Sequence, residues 1–83
     1  MYLDIGFGMS VRTSSIIGIF DYDYASASRR TLAFLENAQR EGQMVPYGSQ
    51  KVLPQSFVVT TEYGMTRIYE SELTPAMLQS RLL

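Results

Sequence analysis

The side chains best suited to covalent or acid–base chemistry are scarce in this chain. Its 83 residues include no His and no Cys, which removes the proton shuttle that works near neutral pH, the thiolate nucleophile and the zinc sets built from both. A Ser-His-Asp hydrolase triad is excluded. Asp21 and Asp23 stand two apart, a spacing that on a strand points both carboxylates to one face, as a hard cation would need. No third or fourth carboxylate follows nearby, and Asp is common where a strand runs into a turn, so the pair reads as a strand end. Gly6-Phe7-Gly8 is half of a glycine-rich phosphate loop, but no helix start follows it, and it reads as a turn. Neither an enzyme, nor a metal site, nor a cofactor is expected.

Binding chemistry is better represented. Arg29 and Arg30 open a helical pattern where the positive end of the helix dipole prefers acids, a misfit that suits either a solvated surface or a phosphate or subunit contact. Lys51 lies in a polar stretch with Tyr47, Ser49 and Gln50, the groups that meet phosphate oxygens and groove edges, although such a stretch also serves as a plain connection.

These residues need elements to hold them. Tyr2 to Ile5, Gly6-Phe7-Gly8 and Met9 to Val11 read as strand, glycine turn and strand. The run Ile16-Ile17-Gly18-Ile19-Phe20 is β-branched and aromatic, the pattern of a buried strand. From Ser28, a candidate N-cap, to Gly42, a candidate stop, helix formers dominate; Leu32, Leu35 and Ala38 share one side for the sheet, while Arg29, Arg30, Glu36 and Arg40 take the wet side. Gln43 to Val45 is briefly extended, Tyr47 to Lys51 is an exposed loop, and Pro54 bounds it. Phe57 to Thr61 and Met65 to Tyr69 form a hairpin through Glu62-Tyr63-Gly64. Thr74-Pro75 is an N-cap with proline at the first helical position, and Met77, Leu78 and Leu82 give the last helix an apolar side. The fold class is α+β, a small mixed β-sheet domain with one principal helix and a short C-terminal helix, in the order β-β-β-α-β-β-β-α.

Length and composition bound the rest. With 46% hydrophobic residues, six Tyr and four Phe, the chain folds, and at this length it forms one domain with a thin core. Without Cys or His, association with other copies is the remaining means of support. The missing Cys suits a reducing compartment, the N-terminus has no basic leader, and no apolar run approaches the ~18 residues of a membrane span, so a cytoplasmic location and no membrane partner are expected. Seven Lys and Arg against eight Asp and Glu leave no basic excess, so any nucleic-acid site depends on where charges are placed.

Several stretches taken together resemble the RemA/RemB family of small bacterial extracellular-matrix regulators: Ile5-Gly6-Phe7-Gly8, Ile16-Ile17-Gly18-Ile19-Phe20-Asp21, Arg40-Glu41-Gly42 with Tyr47-Gly48, and Pro54-Gln55-Ser56-Phe57-Val58-Val59-Thr60. The resemblance spans nearly the whole chain and leans to the RemB side through Gly18-Ile19-Phe20-Asp21 and the Pro54 to Thr60 segment. It implies a domain similar to the LytTR type, assembled into closed rings that bind DNA upstream of biofilm-matrix operons. RemA-like members carry consecutive arginines after Tyr-Gly, where this chain has Ser49 and Gln50 and keeps only Lys51. They also place an arginine just before the third strand, where Ser14 and Ser15 stand here, with Arg12 slightly earlier.

Repetition around a ring offsets sparse charge, because phosphate contacts add across one extended surface. The expectation is therefore an oligomeric DNA-binding transcriptional regulator of matrix genes, with Arg12, Ser49, Gln50 and Lys51 facing phosphates. Leu78, taken as an apolar residue near the surface of the terminal helix, is the expected subunit contact. The alternative is an assembly or adaptor module that binds a protein partner, such as a related family member, with little DNA affinity of its own.

Overall fold

The structure is a computed structural model and describes residues 1–6, 8–22, 28–45 and 53–82. A four-stranded mixed sheet with covered faces organises these residues into an α+β fold. The strands are β1 (Tyr2–Gly6), β2 (Met9–Arg12), β3 (Ile16–Asp21), β4 (Met44–Val45), β5 (Ser56–Glu62) and β6 (Met65–Ser71). Helix α1 (Arg29–Arg40) lies between β3 and β4, and α2 (Pro75–Leu82) closes the described chain. The element order is the expected one.

The β5–β6 hairpin is the centre of the sheet, whose order is β3-β5-β6-β4, with β4 parallel to β6 and the other pairs antiparallel. Its turn is Tyr63-Gly64, with φ of 52° and 78°, the left-handed pair of a type I′ turn whose twist matches the strands it joins. Residues Ser56 to Thr60 are buried without a break, because a central strand covered on both faces cannot alternate between core and water.

Alternation along β5 sorts that run between two cores. On one face Phe57, Val59 and the neighbouring Ile68 meet Leu35 and Ala38 of α1. On the other, Val58 meets Leu3, Ile5 and Val11 of the β1–β2 hairpin and Leu78 of α2. Two serines tie this second layer to the sheet. The Ser71 hydroxyl donates to Ile5 O at 2.7 Å and accepts from Leu73 N–H at 3.0 Å, and Ser56 donates to Leu73 O at 2.6 Å. Gly6, at φ 104°, occupies backbone space closed to residues with a Cβ and lets the first hairpin turn.

Three expectations are corrected, and the Ser28 cap is met in position only. The Ile16 to Phe20 run is an edge strand, with Ile17 64% and Phe20 45% exposed; apolar composition marks a strand but does not say how many neighbours it has. Leu32 faces outward, since at helical spacing the buried stripe runs through Leu35 and Ala38 alone. Ser28 stands at the N-cap of α1 without a side-chain capping bond. Leu78 is 0% exposed, so it is a core residue of the single chain and not one near the surface of α2, where Met77 and Leu82 are the exposed large apolar residues. The Thr74 cap is present: its Oγ1 accepts from Met77 N–H at 3.2 Å, with Pro75 at the first helical position.

Candidate phosphate-binding surface at Arg12

Arg12 ends β2 directly opposite Tyr2 on β1. The chain then passes through a single 3-10 turn, Thr13–Ser15, into β3. Thr13 secures this corner, its N–H and Oγ1 both donating to Met1 O at 3.0 and 3.1 Å. The corner therefore brings Arg12 and Ser15 beside the far end of β5 and the Tyr63 turn, around a hollow of about 450 Å³ that Tyr2, Ser10, Thr61 and Glu62 also line.

Hydroxyls dominate this hollow, with one guanidinium among them. The pKa of Arg12 is raised, first by its hydrogen bond with the Tyr2 hydroxyl, then by the attraction of Tyr2, Tyr63 and Glu62, which favours the charged form. Glu62 is held by its own neighbours: its Oε2 accepts from Tyr69 Oη at 2.7 Å and Thr60 Oγ1 at 2.9 Å. One copy thus presents a fixed cation, several donors and one nearby carboxylate. That inventory suits an anionic oxygen bound by charge and hydrogen bonds, with little net positive charge per copy.

Tyr63 is 100% exposed and adopts φ 52°. A bulky residue in the left-handed region costs roughly 1–2 kcal/mol, and Asn or Gly fill this turn position at lower cost. Among the described residues the Tyr63 side chain gains no burial in return, and strain of this kind collects at functional positions.

Of the residues expected at a DNA surface, Arg12 lies in this hollow, whereas Ser49, Gln50 and Lys51 lie outside the described residues. Ser14 is exposed and Ser15 half-buried at the same corner. Arg29 and Arg30 are exposed on α1, and Arg30 lines a separate feature. Sequence reasoning missed Tyr2 and Tyr63. The available signal for Tyr63 was a tyrosine directly before the glycine of a hairpin turn, where a small polar residue is the ordinary choice.

The separate feature is an apolar groove of about 590 Å³ between β3 and α1, lined by Ile17, Phe20, Phe34, Phe57 and Val59, with Asp21, Arg30 and Thr31. Phe20 stacks on Phe57 with centroids 5.2 Å apart, and Tyr22 meets the same ring edge-on at 5.5 Å. Gly18 permits this arrangement, since a Cβ there would stand 2.7 Å from the Phe20 ring. Among the described residues, no three acidic side chains gather as a metal site requires, and no helix is long and apolar enough to cross a membrane. No protein-family model matches the chain, and no curated protein matches it.

Proposed function

We propose that this chain is a non-catalytic, DNA-binding transcriptional regulator that acts as a homo-oligomer, each copy offering Arg12, Tyr2 and Tyr63 to the DNA backbone. The observation that carries this reading is Tyr63, fully exposed in a strained turn beside Arg12. Arginine and exposed tyrosine side by side supply charge, hydrogen bonding and a stacking face, which nucleic acids engage together. Because one copy offers a single guanidinium in a hollow that Glu62 also lines, the proposed affinity draws on repeated contacts in an assembly. Lys51, with Ser49 and Gln50, lies outside the described residues and joins the proposal through the RemA/RemB resemblance alone. The RemA/RemB resemblance extends the reading to control of biofilm-matrix genes.

The test is anisotropy of a labelled duplex titrated with protein at several salt concentrations, with mass followed by light scattering. Binding by an oligomer whose log affinity falls with log salt at about −0.9 per phosphate contacted supports the reading, and Arg12→Ala then flattens that slope by about one for each copy in contact. Binding with no salt dependence, or none at low salt, refutes it. A second reading, an adaptor for a protein partner, is favoured by the carboxylate of Glu62 in the hollow and by the net charge of −1.

A further inference from the structure

The β3 edge carries an inference that rests on the oligomeric part of this reading and names the surface involved. We infer that two copies of the chain join through antiparallel pairing of β3 with its counterpart, around a two-fold axis at Ile19, making one eight-stranded sheet from two four-stranded ones. β3 pairs only with β5 among the described residues. Tyr22 N–H donates to Gln55 O at 2.9 Å, and the register sets Phe20 opposite Phe57 and Gly18 opposite Val59. Alternation in an antiparallel ladder then turns the N–H and C=O of Ile19 away from β5. Natural edges are blunted by lysine, proline, inward charge or a cover. Ile16-Ile17-Gly18-Ile19-Phe20 contains none of the first three, and the charge of β3, Asp21, stands at the end of the strand.

Pairing centred on Ile19 is self-complementary. It sets Phe20 of each copy opposite Gly18 of the other, so the same patch serves both copies and no two bulky side chains stand directly opposite at these positions. Both flanks of the strand are apolar as well. On one face lies the groove of Ile17, Phe20 and Phe34, and on the other a hollow bounded by Ile16, Ile19 and Leu82.

The area is adequate. The exposed shares of Ile17 (64%), Phe20 (45%), Phe34 (43%) and Leu82 (38%) amount to apolar surface on the order of 400 Å² at ~200 Å² per large side chain. At the usual apolar share of ~57% this corresponds to about 700 Å² per copy, close to the ~800 Å² per partner of a stable complex.

The test combines mass by light scattering, amide hydrogen exchange across a dilution series and DNA anisotropy on the full chain. Wild type is expected to show even multiples of the 9.4 kDa chain mass and an Ile19 amide whose exchange slows as concentration rises. Ile19→Pro, which removes an outward N–H that β5 does not use, is expected to lower the mass with the circular dichroism spectrum unchanged. Should that variant unfold, Ile17→Lys is decisive instead: its position is mostly exposed, and a desolvated charge there should weaken association by at least about tenfold. A monomeric wild type, an Ile19 amide insensitive to concentration, or unchanged mass in the folded variants overturns the proposal. Reduced mass with undiminished DNA affinity upholds the edge pairing and removes the dependence of DNA binding on assembly.

Discussion

Leu78→Ala separates core from contact surface. Leu78 is 0% exposed against Leu3, Ile5, Val11 and Val58, so truncation removes buried methyl groups and leaves a cavity between α2 and the first hairpin. Leu→Ala changes at such sites cost about 2–5 kcal/mol. An eight-residue helix can settle partly into the space, which places the cost near ~3 kcal/mol. For a domain this small, total stability is roughly 4–12 kcal/mol, and each kcal/mol moves the melting temperature by about 4–8 °C, so a fall of about 12–24 °C is expected. Urea unfolding followed by circular dichroism measures the loss, with Met77→Ala, at a 52% exposed position, as a control expected within about 0.5 kcal/mol of wild type. Oligomer mass in native buffer should not change, because Leu78 is buried within its own chain. A loss below about 1 kcal/mol, the range of a surface site, or a drop in mass while the chain remains folded, would refute the placement of Leu78 in the core.

Ser71→Ala should cost about 2 kcal/mol or more, since it strands both Ile5 C=O and Leu73 N–H in a buried place; thermal melts check this, and a neutral result argues against the serine bridge. Tyr63→Asn should raise stability by about 1 kcal/mol through relief of the left-handed tyrosine while weakening DNA binding, so a variant that gains stability and keeps full affinity removes Tyr63 from the surface. Stability should fall in alkali. Burial, then hydrogen bonds to Glu70 and Glu62 respectively, raise Tyr22 and Tyr69 to about 12, above the ~10 of an unfolded tyrosine. The unfolded chain therefore loses these protons first, and the stabilisation is intact below pH ~10 and lost as pH rises toward ~12. Urea midpoints across that range test it, and Tyr69→Phe should shallow the decline.

Local pattern was enough to read the six strands and two helices in order, though not the 3-10 turn Thr13–Ser15, because each signal is a property of a few neighbouring residues. The Thr74-Pro75 helix start, the Tyr63-Gly64 turn and the helix ending before Gly42 depend on backbone preferences carried within a few positions. The absence of His and Cys, and with it thiol and imidazole chemistry, likewise needs no third dimension. Arg12 drew notice only through the RemA/RemB resemblance, as a cation slightly before the third strand, and not through any local signal of its own.

Tertiary structure decided what lies beside what. The same apolar code writes a central strand and an edge strand, so only the pairing order shows that Ser56 to Thr60 is enclosed while Ile17 and Phe20 meet solvent. Leu32, Leu35 and Leu78 are the same residue in sequence, and the face that each helix turns to the sheet selects which are buried. The Arg12 hollow joins positions 2, 12 and 63, brought together by a strand register and one 3-10 turn. Its tyrosines could not be assigned from spacing, because contacts so distant along the chain are fixed by packing and not by local conformational preference.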